Sequence, residues 1–285
     1  MAADATTHQR VAARRGSALG RVILISVVLG WFALLILVPT AAIAREAFAE
    51  GFRPLVASLW RTEVINAFKL TLITTAFATV ANTIFGVAFA IVLVRQKFRG
   101  KTLVDGLVDL PFAVSPVVAG LMLLVLYGPN GWLGRPLGSA GLQVAYALPG
   151  MILACLFVTL PFVVREVVPV LQEFGVDQEE VAYTLGAGRW TTFWRVTLPS
   201  IRWGLAYGVT LTVARSLGEF GALLVISGNI MNKTQTATLY VHDAIESTKP
   251  RGAYAASLVL AGTSFVLLVG MEWVRRRVAT REGKA

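Results

Sequence analysis

Charge, cysteine and histidine are all scarce in this sequence. Charged residues make up 15% of its 285 positions, hydrophobic residues 56%, and there are one cysteine and two histidines. A single thiol, Cys155, excludes an intramolecular disulfide and a cysteine-based metal cluster, and its place inside an apolar run makes it a packing residue. His8 and His242 stand alone, with no acidic or cysteine cluster at metal-ligand spacing, so no metal site is expected. Gly100-Lys101-Thr102 looks like the end of a phosphate-binding loop, but Arg95 holds the position of the required earlier glycine and no strand precedes it. Asn232-Lys233-Thr234 fits a glycosylation acceptor, a pattern too short to carry an argument. With no catalytic constellation and no nucleotide site, the chain is expected to be neither an enzyme nor a cofactor-binding protein.

Acidic residues are outnumbered as well, 16 against 26 Lys and Arg, for a net charge of +10. A nucleic-acid partner would need a basic face, whereas Lys and Arg here gather at the ends of apolar runs, so no nucleic acid is expected. The runs themselves are abundant, at about 22–44, 64–94, 103–127, 142–164, 204–227 and 253–274. Most are long enough to cross a bilayer, which takes roughly 18 or more apolar residues. Lipid leaves unpaired backbone groups without partners, and the alternation of a membrane barrel is absent, so the expected fold is an all-α membrane protein of six transmembrane helices. Residues 22–44 follow a basic stretch and end in Ala42-Ile43-Ala44, as a signal peptide does. Their length exceeds the roughly 7–15 residues of a secretory core, which makes them an uncleaved first span. Residues 1–20 and 276–285 then form basic tails around a 21–275 membrane domain. Seventeen Lys and Arg fall in the amino terminus, the 95–102 and 165–203 loops and the tail, against seven in the opposite loops, which predicts cytoplasmic termini.

The 165–203 loop is long without being disorder-like in composition, and such loops are usually functional. Asp177 reads as an N-cap with Glu179 and Glu180 in the first turn, where the helix dipole favours anions. A short helix through Val181, Ala182 and Tyr183 is expected to stop near Gly186 or Gly188. A second, with Trp190, Phe193 and Trp194, is expected before Pro199 resets the chain. Two readings of this segment stay open: a pair of helices resting on the membrane surface through its tryptophans, or a docking knob for a protein partner, which its acidic first half favours.

Glu180-Val181-Ala182, three residues, Gly186, nine residues and Val196-Thr197-Leu198-Pro199 resemble the EAA motif of ABC importer permeases, with conservative changes at Val181 and Val196. The resemblance implies a type I importer permease fold in which this loop is a coupling helix set into an ATP-binding subunit. The residues it assigns to that contact are Asp177, Glu179, Glu180, Val181, Ala182, Tyr183, Gly186, Ala187, Arg189 and Pro199. Leu110-Pro111-Phe112-Ala113-Val114-Ser115-Pro116, Gly128-Pro129-Asn130-Gly131-Trp132 and Leu217-Gly218-Glu219-Phe220-Gly221 are similar to the sulfate/thiosulfate permeases. Ile226-Ser227-Gly228-Asn229-Ile230 and Ala244-Ile245-Glu246-Ser247 resemble the CysW branch of that family more than CysT or the molybdate permeases. The resemblance implies several partners: a second related permease, two copies of an ATPase holding ATP and Mg, and an extracytoplasmic sulfate-binding protein docked on the 45–63, 128–141 and 228–252 loops. Membrane lipid surrounds the assembly, and the bacterial inner membrane is the implied location. A molybdate or tungstate permease and a stand-alone secondary anion transporter remain as alternatives.

Ionisable groups within spans are functional candidates by default. Arg215 and Glu219 are one helical turn apart in the fifth run, either as an internal ion pair or with Arg215 facing an anion path. Pro111 and Pro116 are expected to kink or break the third run beside Ser115. Ser115, Pro116, Arg215, Ser216 and Glu219 are thus the candidate pathway residues. Asp105 and Asp109 are expected to pair with Lys101 or Arg99, and the small residues Gly204, Ala206, Gly208, Gly218, Gly221 and Ala222 to serve dimer packing.

Overall fold

A computed structural model describes residues 20–49, 51–247 and 250–282, with the backbone alone for 250, 251 and 274–282. Arg10, Arg14, Arg15 and the side chains of the 276–285 tail lie outside the described residues. All regular structure among them is helical, and the chain divides into two compact units, one ending at Phe52 and one beginning at Arg53.

The first unit is a single helix, α1 (Gly20–Phe48), exposed along its length. Its apolar side chains, Trp31, Leu35 and Ile36 among them, all face outward, the pattern of a helix made for lipid or a neighbour rather than for its own core. A π-helical turn occupies Ala33–Leu37, closed by the Val38 N–H donating to the Ala33 carbonyl, just before Pro39. Proline lacks an N–H and its ring crowds the carbonyl four residues back, and widening the turn relieves both problems.

The second unit begins with α2 (Phe52–Leu59), α3 (Thr62–Arg95), α4 (Lys101–Ala113), α5 (Pro116–Tyr127) and α6 (Gly134–Ser139). It continues with α7 (Leu148–Phe174), α8 (Asp177–Thr184) and α9, which spans 189–217 as Arg189–Thr192, a π-helical turn Phe193–Thr197 and Leu198–Leu217. The last elements are α10 (Gly221–Ile226), α11 (Ala237–Glu246) and α12 (Pro250–Glu282). α1, α3, α7 and Gly252–Trp273 of α12 are each long and apolar enough to cross a membrane. α4 and α5 meet the same test as a pair, bent by 111°.

Several elements depart from the sequence expectations. The third run is broken at Val114 and Ser115, both extended, because a residue before proline is pushed out of the helical region. Pro111 stays inside α4. The fifth run splits at 218–220. The fourth begins at Leu148 and continues to Phe174, past the expected end at 164, since Val164, Val167 and Leu171 keep one face apolar and are fully buried. α9 correspondingly starts at Arg189, and Pro199 does not reset the chain: the π-helical turn ahead of it absorbs its ring, as the one in α1 does for Pro39. The long 165–203 loop therefore reduces to 175–188 between the ends of two long helices.

α7 is the hub, packed by α3, α4, α5, α9 and α10. Met151, Ala154, Cys155 and Val158 join Ala78 of α3 with Ala222, Leu223 and Ile226 of α10 in one core, and Val163, Val167 and Leu171 join Val87, Ala90 and Ile201 in another. Asn82, buried in α3, donates to the Thr159 Oγ1 at 2.8 Å and the Leu156 carbonyl at 3.1 Å of α7, polar glue of the kind membrane helices use. Several small residues serve close contacts within this chain. A Cβ at Gly204 would lie 2.8 Å from the Glu166 carbonyl oxygen, one at Gly208 3.0 Å from Val163 Cα, and one at Gly120 of α5 2.5 Å from the Ala222 carbonyl oxygen of α10.

The last contact yields a paired test. Gly120→Ala must push α5 off α10, and overpacking costs about 1–3 kcal/mol. Gly106→Ala in α4 meets nothing within 4 Å and is expected to be neutral or slightly stabilising. Thermal unfolding of the purified protein in detergent checks the order, and equal midpoints would contradict it.

Candidate functional site

Two places concentrate polar chemistry. The first is α8. Gly175, at φ +67, ends α7, and Val176 links directly into α8, so Asp177 is the first helical residue and not the cap. Gly186, at φ +85, turns the chain after Thr184, a conformation glycine adopts without strain. Glu180, Val181, Tyr183, Leu185 and Arg189 are exposed, Leu185 at 82%, while Ala182 and Ala187 are half-buried. Trp190 stacks on Phe193 and Trp194 meets both edge-on, with centroids 5.4–5.9 Å apart, and Trp190 stays 73% exposed. Pro199 is exposed. Glu179 departs from its neighbours: it turns inward and is 9% exposed. Its Oε2 lies 3.0 Å from Arg95 Nε, and its Oε1 accepts from Arg95 Nη2 at 3.2 Å and from Thr197 Oγ1 at 2.8 Å. It is therefore not part of the exposed face on which the sequence reading placed it.

The second place is where two broken helices meet. Gly221, first residue of α10, abuts the start of α5: a Cβ there would lie 3.0 Å from Pro116 Cβ and 3.2 Å from the Val117 nitrogen. Glu219, in the break between α9 and α10, has no exposed side-chain surface. One carboxylate oxygen accepts the Ala222 N–H at 2.9 Å and the other lies 2.8 Å from Arg215 Nη1. Its own carbonyl accepts from Thr238 Oγ1 of α11 at 2.7 Å. The buried carboxylate thus satisfies an orphan donor at the start of α10, and Arg215, one third exposed, neutralises it while keeping one edge accessible. Ser216 is buried beside the pair. Ser115 is exposed, and its side chain caps nothing, although its carbonyl starts α5 by accepting the Ala119 N–H at 2.9 Å.

Two further arrangements escaped sequence reasoning. Asp105 and Asp109 pair with Arg165 of α7, at 2.9 and 2.6 Å, and not with Lys101 or Arg99, because α4 lies against α7 and places its acids opposite that guanidinium. Asp243 of α11 accepts from Asn229 Nδ2 at 2.7 Å and Gln235 Nε2 at 2.6 Å, and Thr234 Oγ1 donates to the Ser227 carbonyl. These bonds fix the 227–236 loop, where Asn229 and Asn232 take left-handed conformations. Nothing local in the sequence signals either set.

A protein-family model for a binding-protein-dependent transport system inner membrane component matches residues 82–280, which contain both places. The chain belongs to this family. As such a permease it is a transport subunit and not itself an enzyme. Among its relatives, the sulfate transport system permease protein CysW of Synechococcus elongatus is 49% identical over 246 residues, 86% of each chain. CysW of Synechocystis is 46% identical over 255 residues, 90% of this permease and 92% of that one. The fold matches a chain of a bacterial alginate ABC transporter crystallised with a periplasmic protein bound to an alginate pentasaccharide, at TM-score 0.74 and 20% identity, over 93% of this chain and 96% of that one. The family resemblance read from the EAA-like spacing is borne out.

The Glu219 arrangement predicts a particular non-additivity. Arg215→Ala strands a buried carboxylate and should destabilise the permease by about 3–5 kcal/mol. Adding Glu219→Gln removes the stranded charge and keeps an acceptor for Ala222, so the double variant should unfold at a higher temperature than Arg215→Ala alone. A double variant less stable than that single one would contradict the assignment.

Proposed function

We propose that this permease is one of two related membrane subunits of an ATP-driven sulfate or thiosulfate importer in the bacterial inner membrane. Six crossings are proposed, by α1, α3, the bent α4 and α5 pair, α7, α9 with α10, and α12, with both termini cytoplasmic. The distribution of Lys and Arg supports that orientation, and the two CysW relatives support the substrate.

The observation that carries the coupling role is the outward face of α8 and its turn. Glu180, Val181, Tyr183 and Leu185 project from a short helix strung between the ends of α7 and α9, where an ATP-binding subunit can grip them. The energetics require such a partner. A dianion moving inward against 100 mV opposes about 4.6 kcal/mol, close to a thousandfold in concentration. Residues 82–280 carry the family match and no nucleotide motif, so the energy enters through a partner holding ATP and Mg. A substrate-binding protein on the far side supplies specificity. The bundle then needs only a weak path for an anion, and the partly open edge of Arg215 provides one at the junction of the broken helices.

Two substitutions separate these roles. Glu180→Lys should lower recovery of the ATP-binding subunit with the purified permease about tenfold or more, the equivalent of about 1.4 kcal/mol. Arg215→Gln, made in a Glu219→Gln background so that no buried charge is stranded, should leave that recovery intact and reduce uptake of labelled sulfate below that of Glu219→Gln alone. Normal recovery with Glu180→Lys defeats the docking face, and uptake equal to that of Glu219→Gln alone removes Arg215 from the path.

A further inference from the structure

Of the two adjacent glutamates of α8, Glu180 is exposed and Glu179 is buried against Arg95 and Thr197. Glu179 is the one buried residue of this eight-residue helix, whose apolar side chains Val181 and Tyr183 point outward. Hydrophobic packing therefore does not hold α8 to the bundle; a carboxylate does. Arg95, the last residue of α3, meets it with one hydrogen bond from Nη2 and an ion-pair contact from Nε. The same guanidinium donates to the Gly175 carbonyl at 2.6 Å and the Leu171 carbonyl at 3.3 Å, closing the end of α7. Thr197, in the π-helical turn of α9, supplies the remaining donor. Four helices, α3, α7, α8 and α9, thus converge on two side chains that are 13% and 12% exposed.

We propose that Glu179 is a positioning residue, the joint through which displacement of α8 by the ATP-binding subunit is passed to α3, α7 and α9. An apolar contact tolerates sliding, whereas a buried carboxylate held by an ion pair and by hydrogen bonds from two different helices is fixed in orientation as well as distance. Arg95 is tied to backbone carbonyls at the end of α7, so the bonds link α8 to the helix at the centre of the bundle. Glu180 receives the partner and Glu179 delivers the motion. The inference rests on the reading of α8 as the ATPase contact, and its test keeps the two apart.

The test uses the complete reconstituted complex of both permeases, ATP-binding subunits and substrate-binding protein, comparing the wild type with Glu179→Gln, Thr197→Val and Thr197→Ser. Three quantities are read: recovery of the ATP-binding subunit, ATP hydrolysis, and sulfate imported per ATP. Glu179→Gln and Thr197→Val should keep recovery and hydrolysis within about twofold while sulfate per ATP falls at least about fivefold, the lower end of coupling between linked sites. Thr197→Ser keeps the hydroxyl and should transport normally. If Glu179→Gln does not assemble, the threonine pair carries the test alone. Unchanged sulfate per ATP in Thr197→Val, or loss of the ATP-binding subunit from that variant, overturns the joint. Absence of the ATP-binding subunit from the wild-type complex would instead remove the docking reading beneath it, and the joint with it.

Discussion

Helices that break inside an apolar bundle must find partners for the backbone groups they free, and in this permease Glu219 meets that constraint. Lipid offers no hydrogen bonds, so irregular backbone survives only where protein covers it. Glu219 covers the start of α10 through the Ala222 N–H, is anchored through its carbonyl to Thr238, and is paired with Arg215. Thr71 of α3 does the same for α11, accepting the Ala237 N–H at 2.9 Å. With these ends satisfied, α10 can lie directly on α5, backbone against backbone at Gly120 and Gly221. The two breaks are therefore one structure, and the place where an arginine is partly open is also the place where regular helix stops.

The permease divides its charge between this junction and the end of the bundle that carries α8. At the junction one buried pair is balanced internally. Around α8, Glu179 is paired with Arg95 and Thr197 while Glu180 stays exposed. α7 runs between the two regions: its Cys155 lies in the core with Ala222 and Leu223, and the Leu171 carbonyl in its last turn accepts from Arg95. A helix packed on five neighbours cannot shift without disturbing them.

Much of this was legible in the sequence because it is set by local pattern. Long apolar runs gave the helices, Pro116 predicted a break that falls one residue before it, and Gly186 marked a turn that needs positive φ. The Arg215–Glu219 pair followed from spacing of one helical turn, and the spacing from Glu180 to Pro199 carried the family. What was not legible depends on which face of a helix meets which neighbour. Glu179 and Glu180 differ by one position, about 100° around a helix, and only the placement of Arg95 decides which of them is buried. Arg165 lies far along the chain from Asp105 and Asp109, so their pairing follows from α4 packing on α7. The continuation of α7 past 164 was hidden because the apolar run meets Arg165 there, and that of α9 through Pro199 because proline reads as a stop, whereas burial of Leu171 and a widened turn before Pro199 decide otherwise.

Sulfate accumulation against an inside-negative potential needs a source of energy. The direct measurement is uptake of labelled sulfate into liposomes holding an inside-negative potential, containing this chain and its partner permease, with the substrate-binding protein outside and the ATP-binding subunits present or omitted. Accumulation above the outside concentration that requires both the ATP-binding subunits and ATP is the predicted result. Accumulation by the permeases alone, without ATP, would contradict it.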